Sequence, residues 1–176
     1  MDTVLSVDVL RSQMIDLFVR VFSDEREFVK NYITHYDTSK NRFVHIENGE
    51  VVSMLHCHRF EVGGIKGSYV YGVATDSQWR GQGLASMLLS RAFEAERADG
   101  IEVAVIIAES ESLRQWYASK GFVLLDGLEV TVTGSDGMNF ALDEPTMNVP
   151  MVKPLIKRPY MVDRCRAAFQ RGILIK

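Results

Sequence analysis

The chain's clearest chemical signal is the run Gln78-Trp79-Arg80-Gly81-Gln82-Gly83. An apolar run, Tyr69-Val70-Tyr71-Gly72-Val73-Ala74-Thr75, leads into it, and a Leu/Ala-rich helical pattern follows at once. Strand, glycine loop and helix start, in that order, present several backbone N–H groups to an anion. The first helical turn has unpaired donors and the positive end of the peptide dipoles. Glycines let the backbone curl and let a phosphate approach without meeting a Cβ. The run therefore reads as a pyrophosphate cradle. It is not a nucleotide P-loop, because no Gly-Lys-Ser/Thr occurs in the chain. It is not a dinucleotide fingerprint either. Gly81 and Gly83 supply GxG, but Ser86 stands where GxGxxG needs its third glycine, and no ribose-binding acid closes a second strand.

A second group of titratable side chains is His56-Cys57-His58. If the glycine turn after residue 62 sets an antiparallel register, His56 and His58 share a face with Tyr71 and Val73. Two rings there could move protons near neutral pH; histidines on a half-exposed strand more often pack and hydrogen-bond. A zinc site is not expected, since no third ligand stands at a telling spacing. Glu109, after the apolar run 101–108, is a further carboxylate that could act as a base or lie solvated in a loop.

These groups need elements to hold them. Asp8 is expected to cap a helix over residues 8–22, with Leu10, Met14, Leu17, Phe18 and Val21 on one face. Asp24 and Glu27 form a capping-box pattern for a second helix ending near Tyr36, with Phe28, Tyr32 and Ile33 buried. Strands are expected over 42–46, 51–62 and 68–75, joined by Asn48-Gly49 and by a turn over 63–67. That makes an antiparallel meander, and the strand before the glycine loop belongs to it. A helix with Leu84, Leu88, Ala92 and Ala95 on its stripe ends at Asp99-Gly100. Residues 101–108 then read as a strand buried on both faces, which makes the helix a right-handed parallel crossover. Ser110 or Ser112 opens a helix with Leu113, Trp116 and Tyr117 that stops at Gly121. Strands over 122–125 and 128–133, a turn at 134–137, an edge strand within 146–155, a helix over 161–170 and an apolar tail complete the chain.

The totals suit one domain. There are 176 residues, 47% hydrophobic and 24% charged. A net charge of −3 argues against a broad nucleic-acid or anionic-membrane surface. No apolar run approaches a membrane span of about 20 residues, and the first residues lack a secretory pattern. Cys57 and Cys165 form no spaced pair, which points to a reducing, cytoplasmic setting.

Gln78 to Gly83 fits [QR]-x-x-G-x-[GA], and it follows Val73-Ala74-Thr75-Asp76. Further on, Tyr117-Ala118-Ser119-Lys120-Gly121-Phe122 ends a short helix as Y-x-x-x-G-F. In these features the chain resembles the GNAT superfamily of acyl-CoA-dependent N-acyltransferases, from about residue 42 to residue 122. The resemblance implies an α+β fold. Its mixed, mainly antiparallel twisted sheet would splay at two parallel strands and be flanked by helices. Residues 1–126 would form the acetyltransferase core, and 127–176 would complete the same single domain.

The resemblance also implies roles. Backbone groups of Val73, Ala74 and Thr75 would pair with the pantetheine arm. The amides of Arg80, Gly81, Gln82, Gly83, Leu84 and Ala85 would cradle the pyrophosphate, and the Arg80 side chain would either add a charge contact or point to solvent. Tyr117 would be the general acid that protonates the departing thiolate; its bland alternative is a core aromatic beside Trp116. Where the family often has an asparagine touching pantetheine, this chain has the shorter Ser110. His56, His58 and Glu109 are the base candidates. The donor would be acetyl-CoA, with a longer acyl group left open and no metal. The acceptor would be an amine of a small molecule or peptide, reached by direct transfer in a ternary complex. No nucleic-acid or membrane partner is expected, and a homodimer is left open. A non-catalytic acyl-CoA-binding or regulatory domain is the alternative, since it needs the loop but not Tyr117.

Overall fold

The computed structural model describes residues 5–140 and 148–175. The chain forms two units, Met1–Cys57 with Gly72–Ala92, and His58–Tyr71 with Phe93–Lys176.

The first unit begins with α1, Val7–Phe22. Its cap is Ser6, not Asp8: the Ser6 hydroxyl accepts from the Val9 N–H at 3.3 Å. Asp8 lies in the first turn instead, where its charge suits the helix's positive end. Leu10, Met14, Leu17 and Phe18 form the buried stripe. Helix α2 spans Arg26–Tyr36. Glu25, one residue after the expected Asp24, occupies the cap position and makes no side-chain cap bond. Val29, not Phe28, joins Tyr32 and Ile33 on the buried face.

Strand β1, Arg42–Glu47, pairs antiparallel with β2, Glu50–Val62, through the Asn48-Gly49 turn. Both turn residues have positive φ, 52° and 79°, as a twisted two-residue hairpin requires. Gln13 holds the same turn. Its amide donates to Gly49 O at 3.1 Å, and its oxygen accepts from Val51 N at 2.9 Å.

Strand β3 is Ile65–Thr75, so the turn after β2 is only Gly63-Gly64 and Gly67 lies in the strand. A Cβ on Gly67 would sit 2.1 Å from Phe60 Cζ, so glycine serves close packing there rather than a turn. Helix α3, Leu84–Ala98, follows the glycine loop. It leads to β4, Val103–Ile107, which pairs parallel with β3 from Gly67/Val103 to Tyr69/Val105. The expected parallel crossover is present. β4 is shorter than the run 101–108; Glu102, just ahead of it, bonds Lys66 through both its N–H and its carboxylate.

In the second unit, α4 spans Glu111–Ser119, and β5, Val123–Leu124, lies at the sheet edge. Strand β6 is Val132–Gly134 and β7 is Pro150–Pro154. β7 runs antiparallel to both β4 and β5. The strand expected within 146–155 is this β7; residues 141–147, Pro145 among them, lie outside the described residues. Helix α5, Met161–Ala168, passes into a 3-10 turn and then β8, Ile173–Ile175. The apolar tail is thus a strand, parallel to β6 in a two-stranded sheet. The main sheet has the order β1-β2-β3-β4-β7-β5. The class is α+β with a mainly antiparallel sheet and a parallel β3/β4 pair.

Candidate functional site

The glycine loop is built from Asp76 outward. Its N–H donates to Val52 O at 2.9 Å, tying the end of β3 to β2. Its carboxylate accepts from Gln78 N at 3.0 Å and pairs with Arg20 at 2.9 Å. A short 3-10 turn, Ser77–Trp79, follows. The chain then opens through Arg80, Gly81, Gln82 and Gly83, all exposed. Gly81 and Gly83 have φ of 77° and 80°, and a Cβ on either would meet nothing within 4 Å. The glycines are therefore needed for backbone shape and leave open space over the loop. Met87 N donates to Gly83 O at 2.9 Å. That bond closes the first turn of α3, so the amides of Leu84, Ala85 and Ser86 precede any intrahelical acceptor. Free N–H donors at a helix start, with the positive end of the helix dipole behind them, are the groups that bind anions such as a diphosphate.

The end of β3 presents a backbone edge. The Asp76 N–H faces β2, and Ala74 O accepts from the Ser53 hydroxyl of β2 at 3.1 Å. The peptides alternate, so Thr75's N–H and C=O face away from β2. A pantetheine amide could pair with that edge. Arg80 Nε donates to Thr75 O at 3.1 Å, so part of this arginine braces the strand end.

One feature of β3 was not anticipated. Gly72, read as an ordinary strand residue, has φ of 61°. A Cβ there would lie 2.7 Å from Phe18 Cε2. A positive-φ glycine inside a strand marks a local kink, and this one immediately precedes Val73, Ala74 and Thr75.

Tyr117 sits on α4 in the other unit and is 5% exposed. Its ring meets Trp116 edge-on at 4.9 Å and Phe122 at 5.6 Å. The Y-x-x-x-G-F ending explains this packing. Gly121 has φ of 88°, which turns the chain back, and the Lys120 and Phe122 amides both donate to Tyr117 O. Phe122 thus folds back onto the ring of Tyr117, five residues before it. Burial, then the charge of Glu109, raises the Tyr117 hydroxyl above the ordinary phenol range. It stays protonated at neutral pH, as a proton donor must. Glu109 itself is exposed. Ser110 caps α4: its hydroxyl accepts from Leu113 N at 3.3 Å and lies 3.0 Å from Ser112 Oγ.

The histidines are not half-exposed. β2 is buried from Val51 to His58, and the two rings are 0% and 1% exposed. His58 lies 6.4 Å from the Tyr71 ring, which agrees with the expected register, and 5.6 Å from Phe140. His56 is held by Asp37, with Nε2 3.2 Å from Oδ1. Arg11 Nε and Arg42 Nη1 bond the other carboxylate oxygen at 2.9 and 2.6 Å. Burial raises the Asp37 carboxyl, but the bonds from His56 and Arg11 and the nearby charges outweigh it and hold the group at about 2. Burial pushes the His56 ring below its ordinary value, against the pull of Asp37. Among the described residues, no group of His, Cys, Asp or Glu is arranged to hold a metal ion. None of their helices is long and apolar enough to cross a membrane.

The loop, the β3 end and His56 therefore belong to one unit; Tyr117, Ser110, Glu109 and His58 belong to the other. Ser53, Gly72 and Asp37 were missed by sequence reasoning. Gly72 had a signal, a glycine inside a strand pattern; Ser53 and Asp37 act through partners distant in sequence.

The family model for an acetyltransferase (GNAT) domain matches residues 10–125. No curated protein sequence matches the chain. Among solved structures, the chain is similar to the GNAT family N-acetyltransferase YhbS of Escherichia coli in complex with CoA. The identity is 16% and the TM-score 0.63, covering 98% of this chain and 87% of that one. An acetyltransferase of the GNAT family from Staphylococcus aureus has 14% identity and a TM-score of 0.65, covering 87% of this chain and 98% of its own. A GCN5-related N-acetyltransferase from Anabaena variabilis has 16% identity and a TM-score of 0.58 over 68% of this chain, which spans 30% of that one. The corresponding share for the Kribbella flavida protein is 32%. At these identities the likeness is one of fold.

Proposed function

The chain belongs to the GNAT acetyltransferase family, and from that premise we propose that it transfers an acetyl group from acetyl-CoA to an amine of a small molecule or peptide. The observation that carries this reading is the open loop Gly81–Gln82–Gly83 at the start of α3, with positive φ at both glycines. The similar Escherichia coli structure was solved with CoA, which supports CoA as the ligand.

In this reading the amides from Arg80 to Ala85 hold the diphosphate, and the backbone edge from Val73 to Thr75 takes the pantetheine arm. Ser110, whose oxygen caps α4 and lies 3.0 Å from Ser112 Oγ, stands where the family's asparagine touches the same arm. The deprotonated amine attacks the thioester carbonyl. A C–N bond forms, the tetrahedral intermediate collapses, and the C–S bond breaks. Tyr117 gives its proton to the leaving thiolate. No covalent enzyme intermediate is required, and both cysteines are buried. Glu109 is our choice to take the amine's proton: it is exposed and its charge is felt at the Tyr117 hydroxyl. His56 and His58 are sealed from solvent and are assigned to packing. Free thiols at Cys57 and Cys165 favour a cytoplasmic setting.

The test is calorimetric titration with acetyl-CoA, followed by an amine panel read by released CoA. Binding with turnover on any amine supports the enzyme. Binding without turnover above hydrolysis makes the chain an acyl-CoA-binding domain. Absence of binding removes the reading.

A further inference from the structure

The end of β3 is held by hydrogen bonds whose polarity can be worked out atom by atom. Ser53 is wholly buried and has one hydroxyl hydrogen. That hydrogen goes to Ala74 O at 3.1 Å. Ser53 Oγ is also 2.8 Å from Thr75 Oγ1. With the Ser53 hydrogen already spent, Thr75 is the donor in this second bond. Ser53 thus fixes both the carbonyl of Ala74 and the side chain of Thr75.

The next peptide is fixed from the same strand. Asp76 N–H donates to Val52 O at 2.9 Å. A trans peptide points its C=O opposite to its N–H, so Thr75 O is directed away from β2. Arg80 Nε meets it there at 3.1 Å. A guanidinium carries five N–H donors in a rigid fork. One is used on Thr75 O, and the four on Nη1 and Nη2 remain. Arg80 is exposed, and among the described residues no carboxylate forms an ion pair with it. A lysine could not divide its contacts in this way, because it has no planar fork with a rear donor.

We propose that Ser53 is a positioning residue for diphosphate binding. It orients Thr75, the Thr75 carbonyl holds the Nε side of Arg80, and Arg80 turns its Nη edge toward a CoA phosphate. This rests on reading the loop as the acyl-CoA site. The function of a buried serine on β2 then lies at the far end of a relay through two residues it does not adjoin in sequence.

The experiment is a double-mutant cycle on CoA affinity, measured by calorimetry with Ser53→Ala, Arg80→Ala and the double variant. Each single change is expected to weaken CoA binding roughly three- to tenfold, the worth of one charge-assisted hydrogen bond that is partly lost. The double variant is expected to bind no more weakly than Arg80→Ala alone, because Ser53 acts only through Arg80. Thr75→Val should behave like Ser53→Ala, while Thr75→Ser, which keeps the hydroxyl, should bind CoA more tightly than Thr75→Val. Arg80→Lys should resemble Arg80→Ala in losing the effect of Ser53. Additive losses in the double variant would show that Ser53 merely supports the strand, and would overturn the relay. So would Ser53→Ala binding CoA as the wild type does. If the wild type itself binds no CoA, the reading of the loop falls and takes the relay with it.

Discussion

His56 Nε2 lies 3.2 Å from Asp37 Oδ1, and neither side chain reaches solvent. Asp37, held at about 2, is a carboxylate at neutral pH and can only accept. The hydrogen between them is therefore on His56 Nε2. Burial keeps the ring neutral, so Asp37 takes its charge balance from Arg11 and Arg42. This is a device of stability, and it makes the fold sensitive to acid.

The sign follows from which state binds the proton. His56 has a folded-state pKa below its ordinary 6.5, so the unfolded chain takes the proton more readily. Its contribution is complete above pH 6.5 and is lost as pH falls from there toward the folded value. Asp37 adds a second loss further down, from 3.8 toward about 2. Calorimetric scans of the wild type at pH 7, 6 and 5 should show the melting temperature falling. His56→Gln keeps an N–H donor for Asp37 but cannot titrate, so its melting temperature should fall less over that range. Equal slopes in the two proteins would mean that other groups govern the acid response.

The glycine loop gives a second expectation. At Gly83 an added methyl meets no protein atom, so Gly83→Ala carries only the cost of a left-handed φ, about 1–2 kcal/mol. The methyl does occupy the space above the loop amides. CoA affinity should fall by at least about tenfold, the equivalent of about 1.4 kcal/mol, in a protein that melts only slightly earlier. Gly83→Trp should remove binding altogether. A variant with unchanged affinity would place the diphosphate elsewhere.

The legible parts of the sequence were those whose cause is local. Gly81 and Gly83 advertise positive φ at a helix start, and that is what they adopt. Tyr117, Gly121 and Phe122 carry their own logic, because the glycine stops the helix and returns the phenylalanine to the tyrosine ring. Asn48-Gly49 fixes a hairpin within two residues. Less legible were residues whose role is set by distant neighbours. Ser6 and Asp8 are both good caps, and the extended backbone at Ser6 decided between them. Gly67 looked like a turn residue until Phe60 was laid over it. Asp37 stands just past the expected end of the second helix, yet its partners Arg11 and His56 stand 26 and 19 residues away. The burial of the histidine pair was hidden for the same reason, since nothing local in His56-Cys57-His58 shows that both faces of β2 are covered.

Tyr117 supplies the sharpest test of chemistry against packing. Tyr117→Phe removes one oxygen and leaves the edge-on contacts with Trp116 and Phe122 in place. The helix end is held by the Tyr117 carbonyl, which the substitution does not touch. Stability and CoA affinity should therefore stay close to the wild type. If the hydroxyl protonates the leaving thiolate, kcat should fall by about 10²-fold, the lower range for a general acid. The pH profile adds a second readout. Burial and Glu109 hold the hydroxyl above the ordinary phenol range, so the wild-type rate should show no loss of this acid up to about pH 10. Glu109→Gln removes the proposed base and should lower turnover itself, but it also removes the raising charge, so the ionisation of Tyr117 followed by ultraviolet absorbance should move down in pH. A Tyr117→Phe variant with wild-type kcat would return the residue to the core, and the proton on the departing sulfur would then come from solvent.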